Sequence, residues 1–336
     1  MHGVRLLIAI VTMVALQSCA RSTSAPGTRE VRIALSRDAI TWLPVRLAQK
    51  LGYCQQEGLA LTVFDVAGLS KGAEALVGGS VDVTAASLIM TIQLAVAGRS
   101  VRTFLTMSNV PSWALVVAPA ASGSIQTIAD LKGHRVGVTS PGSPSHLYLN
   151  YALVSHGLSP EDISTVSIGT SASSVAAVER GQVDAAALVG SAITMLERRH
   201  RNLRVLADAR TPELAQEVFG SSELAVSGLI ADERWLEANA DTALRLVRAV
   251  KRAMRWIREQ SAERILAEIP EADRMPDADA DVEAIRYAQR EMSRDGVVPS
   301  GAPETARKIL AVSSEEVRTG RIDLSKTYTN EFAAAR

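Results

Sequence analysis

Arg135-Val-Gly-Val-Thr-Ser140 repeats, in kind and in setting, the run Val31-Arg-Ile-Ala-Leu-Ser36, and that correspondence decides the fold. Both runs are short and rich in β-formers. Each leads through a loop into a helical segment, Leu43–Leu51 in one copy and Ser145–Ser155 in the other. Both segments stop at a glycine, Gly52 or Gly157, as a left-handed C-terminal cap requires. A second strand is predicted at Leu61–Val66 and at Ile163–Ile168. A Gly/Ser loop comes next (Ala67-Gly-Leu-Ser70; Gly169-Thr-Ser-Ala172), then an alanine-rich helix that ends on Gly79-Ser-Val-Asp82 or Gly181-Gln-Val-Asp184. A third strand completes each copy.

Strand–helix–strand–helix–strand units of this length build parallel sheets flanked by helices. Two in tandem give an α/β protein of two doubly wound lobes. Ligands of open α/β sheets bind beyond the carboxyl ends of the strands, so facing lobes place their loops across one central cleft. The expected division is residues 30–112 for the first part of lobe 1, 113–227 for lobe 2, and 228–336 for a crossover and a helical C-terminal part of lobe 1. In that last part Leu244, Leu246, Val247, Val250, Met254 and Ile257 fall at helical spacing. Beyond them, Pro270, Pro276, Pro299 and Pro303 break the remaining chain into shorter helices.

The N-terminus reads as an address. Arg5 precedes an apolar run, Leu6–Leu16, too short for the roughly 20 residues a spanning helix needs. It matches the h-region of a secretory signal. Leu16-Gln17-Ser18-Cys19 resembles the bacterial lipobox, which implies a signal peptide over 1–18 and lipidation at Cys19. Residues 19–29 then form a polar, lipidated tether to a bacterial membrane, facing the periplasm or the cell surface.

The 36 basic and 36 acidic residues balance, so nothing favours nucleic acid. With Cys19 lipidated, only Cys54 remains, which excludes an internal disulfide and reads as a small buried residue. The scattered histidines lack metal-ligand spacing, and no metal or cofactor is expected. Nucleophile elbows and Walker loops are absent, and the chain reads as a non-enzyme and a monomer.

Hydroxyls and backbone donors gather where strands give way to helices. Thr139-Ser140-Pro141-Gly142-Ser143-Pro144-Ser145 has proline in an opening turn, and its glycine admits close backbone approach. Free N–H groups, the helix dipole and the hydroxyls suit an oxyanion; they also suit a plain N-cap. The ligand-binding candidates are Ser36, Thr41, Trp42, Ser70, Ser87, Ser112, Ser140, Pro141, Gly142, Ser143, Gly190 and Ser191. Two readings stand for Trp42, a wall of the cleft or a core aromatic between helix and sheet. The same holds for His146, which either reaches the cleft or packs beneath it.

Leu43-Pro-Val-Arg-Leu-Ala-Gln-Lys-Leu-Gly-Tyr53, Glu57-Gly-Leu59, Gly79-Ser-Val-Asp82, Gly137-Val-Thr-Ser-Pro-Gly-Ser143, Leu149-Asn-Tyr-Ala-Leu153 and Val178-Glu-Arg-Gly-Gln-Val-Asp184 occur in order. Together they resemble the solute-binding proteins for sulfonates, taurine, nitrate and thiamine precursors. The resemblance spans about Val31–Ala231 and implies a type II periplasmic-binding fold that hands a small molecule to an ABC permease and ATPase. It also implies hinges near Val110–Ala114 and Val226–Ala231, and a helical tail packed on the first lobe. Relatives often carry Asp-Pro where this chain has Gly190-Ser191, which turns the expectation from amine ligands toward a simple anion or an aromatic acid. A thiamine-pyrimidine synthase shares the fold, but its cysteine-rich motif is missing here; a sensory lipoprotein is a further alternative.

Overall fold

In the first half, β-rich runs alternate with helices as the repeat requires. The computed structural model describes residues 27–36, 40, 42–66, 68–274, 278–320 and 322–335. The first unit comprises β1 (Arg29–Ser36), α1 (Leu43–Lys50), α2 (Tyr53–Gln56), β2 (Leu59–Val66), α3 (Leu69–Val77), β3 (Val83–Ala86), α4 (Leu88–Val96) and β4 (Val101–Ser108). The chain then crosses to β5 (Trp113–Val117), β6 (Arg135–Val138), α5 (Pro144–Ser155), β7 (Ser164–Ser167), α6 (Ser171–Glu179), β8 (Ala185–Val189), α7 (Ser191–Arg199), β9 (Val205–Asp208) and α8 (Pro212–Phe219). It returns through β10 (Ser227–Asp232) to α9 (Glu233–Ala238), α10 (Ala240–Glu259), α11 (Ala262–Leu266), α12 (Ala278–Glu291), α13 (Ala302–Ala311), α14 (Glu315–Arg318) and α15 (Glu331–Ala334).

Two five-stranded sheets result, ordered β2-β1-β3-β10-β4 and β7-β6-β8-β5-β9. In each, the three strands of the repeat pair in parallel, and a returning strand adds antiparallel: β10 beside β3, and β5 beside β8. The repeat is therefore a repeat of topology. The glycines that end the first helices, Gly52 and Gly157, sit at φ 74° and 78°, where a side chain would be strained.

The expected hinge at Val226–Ala231 falls on β10, which is paired on both sides within the first sheet. A centrally paired strand is a poor hinge, and the crossing itself falls at residues 209–226, just before it. The other crossing is the short segment 109–112.

The tail does not pack on the first lobe alone. The stripe Leu246, Val247, Val250, Met254 and Ile257 of α10 is buried in the first-lobe core, worth about 10 kcal/mol before ordering costs. By contrast α13 buries Ala302, Ala306, Ile309 and Leu310 in the core that holds β5, β6 and α5. α13 packs on both α4 and α5, while α12 lies between α7 and α11. Apolar faces on separate short helices let the tail grip both lobes.

Candidate functional site

Parallel strands place their carboxyl ends on one edge, and the pairing registers say which residues share it. In the first sheet that edge carries Val66, Ser36, Ala86, Ser227 and Ser108; in the second it carries Ser167, Val138, Val189, Trp113 and Asp208. Both crossings run between these two edges, so the edges face one another across the cleft.

The loop after β6 is a closed hydroxyl network. Ser145, buried, accepts the Thr139 N–H at 3.0 Å and donates to the Thr139 hydroxyl at 3.1 Å. Its neighbour Ser143 lies 3.0 Å from it and caps α5, accepting from the His146 N–H at 3.4 Å. The Ser140 N–H also points at Ser143 Oγ, at 3.4 Å. If Ser145 donates to Thr139, then Ser143 donates to Ser145, and the chain of protons leaves the Thr139 hydroxyl's own proton unused within the network. Pro141 and Gly142 stand at the tip, Gly142 exposed at φ 75°.

His146 belongs to this network rather than to the core beneath it. The Gly142 N–H donates to His146 Nδ1 at 2.9 Å, so the neutral ring carries its proton on Nε2. Burial pushes its pKa below the ordinary histidine value. The ring is thus held as a neutral donor.

Around β7 and β8 the edge continues with Ser171, whose hydroxyl lies 3.4 Å from that of Ser191. Ser171 has φ 49°, the sole non-glycine with positive φ among the described residues. Such strain collects where a fold fixes a side chain for use. Gly190, at φ 61°, donates its N–H to the Ser112 carbonyl at 2.8 Å and so joins α7 to the crossing.

The first-lobe edge is drier. Trp42 is 2% exposed, packed in the core, and its indole N–H donates to Ser36 Oγ. The core-aromatic reading of Trp42 is therefore the one realised, and its N–H takes one lone pair of the Ser36 hydroxyl. Ser87 is buried as the cap of α4, accepting the Met90 N–H at 3.4 Å, while Ser70 is exposed on α3. Thr41 and Cys19 lie outside the described residues.

Among the described residues the guanidiniums at the edges are committed: Arg46 donates to Asp65 at 2.6 Å and to the Ser36 carbonyl at 3.3 Å. Arg210 donates to Asp208 and Glu197 at 2.6–3.1 Å. Burial opposes its charge, but Asp208 and then Glu197 outweigh that and hold it firmly protonated. An anion here would meet hydroxyls and N–H groups instead. Two surface depressions, one by Arg46, Lys50 and Glu268 and one by His156 and Asp208, lie outside the hydroxyl loops; the strand ends locate the chemistry better. Cys54 is buried and its thiol is pushed up to about 12, so it is a packing residue. No group of metal-ligating side chains occurs among the described residues.

Sequence reasoning passed over Ser145, Ser171 and the role of His146. Ser145 and Ser171 stand in loops it had quoted, but nothing in their spacing distinguishes a buried hub or a strained serine from its neighbours.

A family described as NMT1/THI5 like matches residues 40–264. The chain belongs to that family. A Bordetella bronchiseptica RB50 protein of solved structure is 32% identical, with a TM-score of 0.83 over 90% of this chain and 95% of that one. The alkanesulfonate-binding protein SsuA from Xanthomonas axonopodis pv. citri, bound to MOPS, is 18% identical over 91% of this chain and 100% of its own, with a TM-score of 0.70. The periplasmic nitrate-binding protein NrtA from Synechocystis PCC 6803 is 15% identical over 92% and 88%, with a TM-score of 0.67. These likenesses show the two-lobed, type II periplasmic-binding-protein fold. Among curated relatives, the 4-amino-5-hydroxymethyl-2-methylpyrimidine phosphate synthase of Schizosaccharomyces pombe is 27% identical over 42% of this chain, and the match spans 39% of that enzyme's length. The enzyme of the same name from Aspergillus parasiticus is 25% identical over 68% of this chain and 69% of its own.

Proposed function

We propose that this NMT1/THI5-like protein is an extracytoplasmic solute-binding lipoprotein, anchored through Cys19, that captures a small anion between its lobes and delivers it to an ABC importer. The ligand class is a sulfonate, nitrate or an aromatic acid. The observation that carries the reading is the hydroxyl network of Thr139, Ser143 and Ser145 at the start of α5, beside a neutral, donating His146. Donors with no free cation among the described residues suit a singly charged oxyanion, because fixed dipoles replace its hydration shell. The fold shared with an alkanesulfonate-binding and a nitrate-binding protein supports the same class. Capture works by closure: contacts to both edges favour the closed form, which the transporter reads.

The test is a thermal-shift screen of the chain from Ala20 onward against alkyl- and arylsulfonates, nitrate, aromatic carboxylates and thiamine precursors. A ligand at 100 times its Kd adds roughly 2.7 kcal/mol. Stabilisation by an anion, abolished in Ser143→Ala, supports the reading; stabilisation by amine-bearing precursors alone refutes the anion class.

The curated synthases favour a second reading, an enzyme of pyrimidine formation. The chain's two cysteines, one in the lipobox and one buried, supply no cysteine-rich motif for it. Product formation from a bound precursor would establish that reading over transport.

A further inference from the structure

At the back of the cleft, the C-terminus of α12 delivers a carboxyl to the junction of the two sheets. The Asn109 N–H donates to the Glu291 carbonyl at 3.3 Å, and Met292 bridges to Ser108 in antiparallel fashion. This seats the Glu291 side chain beside the hydroxyls of Ser112 and Ser108, the residues that bound the crossing 109–112. Ser108 ends β4 and Ser112 precedes β5, so both stand on the cleft edges.

One oxygen on each of two side chains here has no donor, although the Ser112 and Ser108 hydroxyls act on the Glu291 carboxyl. Glu291 Oε1 and Asn109 Oδ1 are both buried and without a hydrogen-bond partner among the described residues. Unsatisfied buried acceptors are costly and rare, and these two occur where the end of α12 packs on the crossing 109–112. The nearby cation, Arg210, does not serve, because Asp208 and Glu197 hold its guanidinium. Burial raises the proton affinity of Glu291, against the pull of Ser112, Arg210 and Ser108.

We propose that Glu291 is a specificity-determining residue, accepting a hydrogen bond from a hydroxyl or ammonium carried by the same anion whose oxygens meet the Thr139–His146 loop. The proposal rests on the anion-binding reading above. β6 and β5 are separated by β8 alone, so their cleft ends stand about 10 Å apart, and one small ligand can reach both the loop after β6 and the crossing before β5. The carboxyl also stands beside the position where Gly190-Ser191 lacks one, since the Gly190 N–H bonds to the Ser112 carbonyl.

The experiment is isothermal titration calorimetry of the full chain in detergent with three near-isosteric probes: ethanesulfonate, 2-hydroxyethanesulfonate and 2-aminoethanesulfonate. Wild type is expected to bind at least one donor-bearing probe tenfold or more tighter than ethanesulfonate. Glu291→Gln should cut the advantage of the ammonium below threefold, and Glu291→Leu should remove the advantage of both donors. Ethanesulfonate affinity should stay within threefold throughout. Equal binding of the three probes by wild type overturns the proposal and leaves the anion site standing, and it needs no variant to fold. A variant that weakens all three alike, or keeps the selectivity, also overturns it. Binding of none overturns this proposal, while the nitrate and aromatic-carboxylate arms of the thermal-shift screen decide the anion reading separately.

Discussion

Asp184 binds Arg135 three times: its carboxylate accepts the Arg135 backbone N–H at 2.9 Å, Nη2 at 2.9 Å and Nε at 3.4 Å. Arg135 Nη2 also donates to the Gly181 carbonyl at 3.1 Å. The first lobe repeats the arrangement with Asp82, which accepts from the Arg32 N–H, Nη2 and Nε at 2.8, 2.7 and 3.2 Å, while Nη1 donates to the Gly79 carbonyl. These clasps sit at the amino ends of the strands, opposite the cleft. The Gly-x-Val-Asp motif is therefore structural: it locks the helix-to-strand turn onto the first strand.

Replacing Asp184 with Asn should cost about 1 kcal/mol, below the usual range for charge-assisted bonds because Arg135 is half exposed and solvent screens the pair. The Arg135 guanidinium, chiefly, holds the Asp184 carboxyl below its ordinary range. Its contribution is complete above the unfolded value of about 3.9 and is lost as pH falls through the lower folded value. Urea denaturation of wild type and Asp184→Asn at neutral and acid pH checks this. A difference that persists undiminished in acid would contradict it.

Ser145 is the hub of the cleft loop, and Ser145→Ala leaves the Thr139 N–H without its acceptor. The expected loss is about 2 kcal/mol, from one buried donor left unsatisfied and one hydroxyl link removed. Anion affinity should fall tenfold or more, because the Thr139 hydroxyl loses its orientation. Calorimetric titration beside a melting curve separates the two effects. Unchanged affinity with lowered stability would make the network a cap and nothing more.

The repeat made the two sheets legible, since strands, loops and terminal glycines recur in one order. The helical tail was not legible to the same depth. Amphipathic spacing shows that Leu246 or Ile309 is buried but carries no address, and the two lie in different cores. At the site, sequence placed Ser140, Ser143 and Gly190 on the strand-to-helix loops where they lie, and Ser191 opens α7 directly after Gly190. Trp42 was ambiguous because an aromatic opening a helix has a core and a cleft on either side. Glu291 was invisible, since its position depends on α12 ending at a crossing far earlier in the chain, and no local pattern encodes that.

His146 should make the cleft loop acid-sensitive. Its folded pKa lies below the ordinary value, so above about pH 6.5 folded and unfolded rings are both neutral and no penalty arises. As pH falls below that, the unfolded ring takes the proton first, and stability declines until the folded value is passed. Protonation also turns Nδ1 into a donor facing the Gly142 N–H, which opens the loop. The melting temperature of wild type should therefore drop more steeply between about pH 7 and pH 5 than that of His146→Gln. Parallel profiles would remove His146 as the cause.

Gly228 tests whether β10 can be crowded without loss of the first sheet. A Cβ at this position collides with the Leu105 carbonyl oxygen, a backbone atom of the neighbouring strand that cannot rotate away. The register of β10 against β4 shifts beside it, so the close approach belongs to an irregularity that glycine permits. Gly228→Ala should cost about 3 kcal/mol or more. Gly123→Ala, with nothing near its Cβ, should be close to neutral. Because β10 carries the chain back from the second lobe, the damaged sheet should also weaken anion capture, through a looser seat for Ser227 and Ser108 at the cleft edge. Denaturant titration of both variants decides it: a loss below about 1 kcal/mol for Gly228→Ala would mean that the two strands part easily and that β10 itself can flex as a hinge.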